Sequence, residues 1–400
     1  MIYLDYQATT PLAPEAFEAM LPWLRDNFAN PHSPHAAGRK AKAAVEFARE
    51  QVAALLPPGG RIAFTGGATE ALNWAIKGAG PGRIVTLASE HAAVLDTVEA
   101  LARGGRDVVV LPVGADGLVD LAVARAAIVP GTALVAVMLV NNEIGVVQPV
   151  AALAEMAHAV GAVLLCDAVQ GVGRVAIPQA CDLVAASGHK IYGPKGIGAL
   201  WIRDGIELEP LLHGGGQEVG GRSGTLSPAL CVGFGVAARL MVERGEADAA
   251  QVAALWQVAA ARLGATTPLP EREGLGVGCS RGGAAPAPYR PTPDPSLSGR
   301  GEWQLNGSAS QRYLGNINIR RDGLDVARLM SELRDIAFSA GSACASGSGR
   351  SSHVLRAIGL SEGEARSSIR LGFGRYTTEA DLVGAIGRIV AAADAQRVAR

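Results

Sequence analysis

The stretch 183–198, LVAASGHKIYGPKGIG, contains the first residues that could do covalent chemistry. A strand-like run ends there in Ser187-Gly188-His189-Lys190, and a glycine-rich stretch follows. In open α/β sheets, ligands sit at the carboxyl ends of strands, so Lys190 is well placed to form an imine with a carbonyl ligand. Lys195 is its competitor, and an ordinary surface lysine is the plain alternative for either. Lysine is scarce in this chain. Of 36 Lys and Arg residues, only Lys40, Lys42, Lys77, Lys190 and Lys195 are lysines. A generic surface cation here is arginine, whose guanidinium cannot form an imine.

Four other positions carry chemical promise. Asp167 closes the apolar run AVLLCDAV, and a carboxylate there needs a partner: a protonated ring nitrogen, or the start of the next helix. Thr65-Gly66-Gly67-Ala68-Thr69-Glu70 follows the run RIAF and precedes a helical pattern, which suits an anion on backbone N–H groups. It has the spacing of neither the P-loop nor GxGxxG. His91 follows the run RIVTL and could stack on a flat ligand and move protons, or be structural. Cys344 lies in SAGSACASGSG, where no large side chain can pin the thiol to a core. That context suits attack and transfer. Cys166, Cys181 and Cys231 sit among apolar residues as core thiols, and Cys279 receives no role.

These positions require elements to hold them. The chain has 400 residues, 49% hydrophobic, enough for two packed domains. Net charge is −1 and aromatics are 4%, which gives no field or stacking surface for nucleic acid. Five irregularly spaced cysteines without a CxxC pair argue against a disulfide framework or zinc site. The N-terminal MIYLDYQATTP reads as no secretory signal, and no apolar run is long enough for a membrane span, so the expected location is cytoplasmic. Residues 36–56 are helical in pattern. Six short apolar runs (61–65, 83–89, 107–113, 132–140, 162–169 and 197–203) alternate with helical stretches, as in a mainly parallel sheet covered on both faces. Near 255 the pattern becomes α+β. Residues 266–303 are rich in proline and poor in aliphatics, and read as a disordered insertion.

Taken together, the segments resemble the NifS/IscS-type cysteine desulfurases, of the class V aminotransferase family and fold type I of pyridoxal-phosphate (PLP) enzymes. The matching stretches include YLDYQATTP (3–11), TGGATE (65–70), NNEIGVVQP (141–149), CDAVQGVG (166–173), SGHKIYGPKGIGALW (187–201), HGGGQEVGGRSGTL (213–226), SAGSACASG (339–347) and SSIRLGFGRYTTEADL (367–382). The resemblance covers most of the chain outside 266–303. It implies an α/β fold with a mainly parallel seven-stranded sheet in a large domain, residues 13–255. Residues 1–12 and 256–400 would form a smaller α+β domain.

The same resemblance implies roles. Lys190, rather than Lys195, would hold PLP covalently. Asp167 would pair with the ring nitrogen, and Asn142 and Gln170 would contact the phenolic oxygen side. Ala68, Thr69, Ser187 and His189 would bind the phosphate, joined by Thr225 from the other subunit of a homodimer. His91 would stack on the ring. Arg370 would bind the carboxylate of L-cysteine, assisted by Asn30. The Cys344 thiolate would take the substrate sulfur as a persulfide and pass it to an acceptor or iron–sulfur scaffold protein. The alternatives are an aminotransferase or selenocysteine lyase of the same fold, and a non-catalytic sulfur-transfer partner. Two features depart from the family: Gly66, where relatives often carry serine, and the 266–303 insertion.

Overall fold

The computed structural model describes residues 1–218, 221–264, 303–341 and 351–398. Seven apolar runs form one sheet in the order Gly60–Thr65, Gly198–Arg203, Leu183–Ser187, Val163–Asp167, Thr132–Met138, Arg83–Leu87 and Val108–Leu111. Neighbours are parallel except around Gly198–Arg203, which is antiparallel to both strands beside it. The strands lack polar alternation because both faces are buried. Phe64, Cys166, Val184 and Trp201 face one core, with the helices Pro14–Arg25, Ala36–Ala53 and the first half of Pro228–Leu263. Ala63, Leu165, Ala185 and Leu200 face the other, against the helices Ala68–Gly78 and Ala92–Arg103. The fold-type expectation is therefore met: the parallel strands share one carboxyl edge, where the next residues become loops and helix starts.

The C-terminal part is α+β, as the sequence predicts. Four short strands pair antiparallel in the order Ser339–Ala340, Ser368–Gly372, Asn316–Arg320 and Gln304–Leu305. The strand Ile2–Tyr3 runs parallel to Ile336–Ala337. A separate core, the second to which the helix Pro228–Leu263 contributes, gathers Leu4, Trp256, Ile317, Phe338, Leu371 and Ile386. The helix Pro228–Leu263, 36 residues long, crosses the expected boundary near 255 and serves both cores. Trp303 corrects the edge of the expected insertion. It is buried against the second core, under the Arg321 guanidinium at 5.7 Å. The rest of that insertion, with Cys279, lies outside the described residues. Among the described residues, no helix is long and apolar enough to cross a membrane.

Candidate active site

Lys190 ends a short 3₁₀ turn, Gly188–Lys190, directly after the strand Leu183–Ser187. The N-terminal segment folds over it. Lys190 Nζ donates to the carbonyls of Gln7 and Ala8, the latter at 2.8 Å. Thr10 donates to His189 O through both its amide and its hydroxyl, at 2.9 Å each. His189 Nδ1 is 3.1 Å from Thr9 Oγ1. Two residues on, Tyr192 adopts φ 68°, the left-handed region that a bulky side chain rarely occupies. Its amide is held by Thr10 Oγ1 at 2.7 Å, so the strain is fixed by the same segment. Lys195, its competitor, is exposed, whereas Lys190 is partly buried.

Asp167 is the last residue of the neighbouring strand Val163–Asp167 and is 3% exposed. Its Oδ1 accepts the Val169 amide at 3.0 Å. Burial pushes the carboxyl above its usual range, while His91 and Lys190 pull the other way. His91 caps the helix Ala92–Arg103, with Nδ1 accepting the Ala93 amide at 3.0 Å. That bond leaves the proton of the neutral ring on Nε2. Burial keeps His91 below its ordinary value, opposed by Asp167 and helped by Lys190 and His353. Gln170 is buried. Its amide nitrogen donates to Gln7 O at 2.9 Å, and its Oε1 finds no partner among the described residues.

Ala68 and Thr69 open the 11-residue helix Ala68–Gly78, whose first turn is partly exposed. The strand Gly198–Arg203 comes very close here. A Cβ on Gly198 would stand 2.6 Å from both Ala186 O and the Gly67 carbonyl carbon. Glu70 closes the loop, accepting the Gly66 amide at 2.7 Å and pairing with Arg222 at 2.8 Å. Arg222 belongs to the loop that also carries Thr225, which is exposed on its own chain.

Arg370, in the strand Ser368–Gly372, is 1% exposed. It donates to Asn142 O at 3.0 Å and pairs with Asp5 at 2.7 Å. The Asn142 carbonyl also accepts Asn316 Nδ2 at 3.2 Å. Asn318 Nδ2 donates to the adjacent Glu143 O at 3.0 Å, and Ser352 Oγ donates to the Glu143 carboxylate at 2.5 Å. The second core is thereby tied to the 141–143 turn at the sheet edge. Asn30 is exposed, and its Oδ1 accepts the His32 amide at 2.9 Å within its own turn. Cys344 lies outside the described residues. The strand Ser339–Ala340 leads towards it, and Ser352 with His353 follows it, His353 Nε2 sitting 2.8 Å from Glu90 O beside His91.

Sequence reasoning missed Asp5, Glu70, Glu143 and Ser339. Each lies in or next to a motif that the sequence singled out, yet its partner is far away along the chain. As a set, the edge offers an amine, a buried carboxylate, an imidazole, a helix start open to an anion and a buried guanidinium. A flat, phosphorylated carbonyl compound with a protonatable ring nitrogen fits them. The carboxylate suits the nitrogen, the amine the carbonyl, and the orphaned Gln170 Oε1 marks a polar contact left unmade.

Known proteins resemble this chain over nearly its whole length. The aminotransferase class-V family model matches residues 2–269. The chain is 40% identical to a cysteine desulfurase IscS of Rickettsia typhi, over 99% of this chain and 92% of that protein. It is 41% identical to the IscS of Rickettsia bellii, over 95% and 88%. Among solved structures, a NifS-like protein superposes with a TM-score of 0.82 at 27% identity, covering 98% of each chain. SspA in complex with cysteine superposes with a TM-score of 0.75 at 34% identity, over 94% of this chain and all of that one. This chain therefore belongs to the class-V aminotransferase family and, within it, to the IscS-type cysteine desulfurases.

Proposed function

We propose that this chain removes sulfur from L-cysteine, releasing L-alanine, with PLP held on Lys190 and the sulfur leaving on Cys344. The observation that carries the reading is the meeting of Lys190, Asp167 and His91. They come from three strand ends and lie within electrostatic reach of one another. Asp167 would hold the ring nitrogen protonated, His91 would cover the ring, and Asn142 and Gln170 would flank its phenolic oxygen. Ala68, Thr69, Ser187 and His189 would hold the phosphate. Thr225 is assigned to the phosphate of the second subunit in a homodimer, which its exposure supports.

Bound PLP supplies an electron sink for charge left at the substrate α-carbon. Arg370 orients the substrate through its carboxylate, with Asn30 assisting. The Lys190 amine, once released, takes the α-proton and returns it. His91, neutral with its proton on Nε2, can hand a proton to the departing product. The Cys344 thiolate attacks the substrate sulfur. A sulfur–sulfur bond forms, the carbon–sulfur bond breaks, and its electron pair stays with the three-carbon fragment, which is protonated to alanine. The persulfide then serves an acceptor, which we assign to iron–sulfur assembly or another thio-cofactor route in the cytoplasm.

The test is alanine and sulfide release from L-cysteine, measured on the parent enzyme and on Cys344→Ala and Lys190→Ala. Both variants are expected to lose both products. Alanine and sulfide release persisting in Cys344→Ala would overturn the role of the thiol. Sulfide lost while transamination persists would mark an aminotransferase.

A further inference from the structure

Arg370 is 1% exposed, so its charge must be balanced inside the protein. The balance comes from a residue given no role so far. Asp5 Oδ1 lies 2.7 Å from Arg370 Nη2, and Ser339 Oγ lies 3.1 Å from the same nitrogen. The Ser339 hydroxyl donates to Asp5 Oδ1 at 2.8 Å, so it accepts from the guanidinium. Nη1 donates to Asn142 O at 3.0 Å. The guanidinium is therefore clamped at its far end, while Nε, buried as well, has no acceptor among the described residues.

Backbone pairing fixes the clamp independently of any ligand. Ser339 and Arg370 are opposite one another in register. Asp5 bridges Gly372 on the same strand as Arg370, and the Ile2–Tyr3 strand before it is paired with Ile336–Ala337. Three adjacent segments thus deliver the three side chains at set positions.

We propose that Asp5 is a positioning residue for substrate recognition. Its carboxylate is the permanent counter-ion of Arg370 and locks the guanidinium in the orientation from which it recognises the α-carboxylate of the amino acid, with Ser339 completing the lock. This rests on the reading that Arg370 binds that carboxylate. Without the Asp5 charge the guanidinium is not neutralised and, among the described residues, is held only by Ser339 and the Asn142 carbonyl. The cost of ordering it then falls on substrate binding.

The holoenzymes of Asp5→Asn, Ser339→Ala and Arg370→Lys are to be compared with the parent for KM and kcat on L-cysteine. Asp5→Asn is expected to raise KM about tenfold with kcat within about twofold, the pattern of lost binding rather than lost chemistry. Ser339→Ala keeps the counter-ion and should raise KM about threefold. It carries the test should Asp5→Asn fail to fold. A KM within about twofold of the parent in the folded variants, with Arg370→Lys raised, overturns the role of Asp5 and leaves the carboxylate reading intact. A kcat that falls while KM holds also overturns it. An unchanged KM in Arg370→Lys removes the reading on which the inference rests.

Discussion

Burial and the ammonium groups of Lys190 and Lys195 pull His189 down to about 4. In the unfolded chain the same ring takes its proton near 6.5. Between those values the unfolded state binds the extra proton, so stability is present above the upper one and drains away as pH falls towards the lower one. In the cofactor-free protein, His189→Asn should flatten the decline of the thermal midpoint between about pH 6.5 and about pH 4 relative to the parent. Parallel curves would show that His189 does not titrate in that window. Residues such as Lys190, Asp167 and His91 were legible because each ends an apolar run. Asp5 was not, because its partner Arg370 lies 365 positions away, and nothing in YLDYQATTP points to a guanidinium. Glu70 and Arg222, 152 positions apart, escaped for the same reason.

The strands of the seven-stranded sheet could be read to within two residues at each end, whereas the short strands Ile2–Tyr3, Gln304–Leu305, Ile336–Ala337 and Ser339–Ala340 could not. With both faces covered the sheet strands are uninterrupted apolar runs, and the glycines and charges around them mark the ends. The long helix Pro228–Leu263 could not be divided by sequence, because its apolar positions change partner midway without a break in pattern. Two glycines make opposite expectations at this scale. Gly198→Ala puts a methyl group against backbone on both sides, which should destabilise by about 1–3 kcal/mol. Gly245 sits in the exposed middle of the long helix with nothing within 4 Å of an added Cβ. Gly245→Ala should stabilise by about 0.5–1 kcal/mol through helix propensity alone. Urea unfolding of the two variants checks both signs, and a destabilised Gly245→Ala would mean that the mid-helix surface is covered by something.

Two hydrophobic cores share one helix, so they should unfold in one transition. Ala247→Pro breaks that helix in its exposed middle, at a cost of about 3 kcal/mol. Two resolved transitions are expected in denaturant, read by far-ultraviolet circular dichroism and tryptophan fluorescence. A single shifted transition would show that the remaining contacts between the cores suffice to couple them. Those contacts include Arg312, which is buried and donates to the carbonyls of Ser308, Ile144 and Asn316. Burial alone pulls it down to about 10. None of this was legible beforehand, since carbonyl acceptors carry no sequence signature.

The Asn142 carbonyl, which receives both Arg370 and Asn316, is one such acceptor. A main-chain oxygen has no side chain to delete, so replacing residue 142 would leave that junction standing while disturbing only what the amide group touches. Scanning mutagenesis would then score position 142 solely for its amide, and the seam between the two halves would show up only at the donors on the far side.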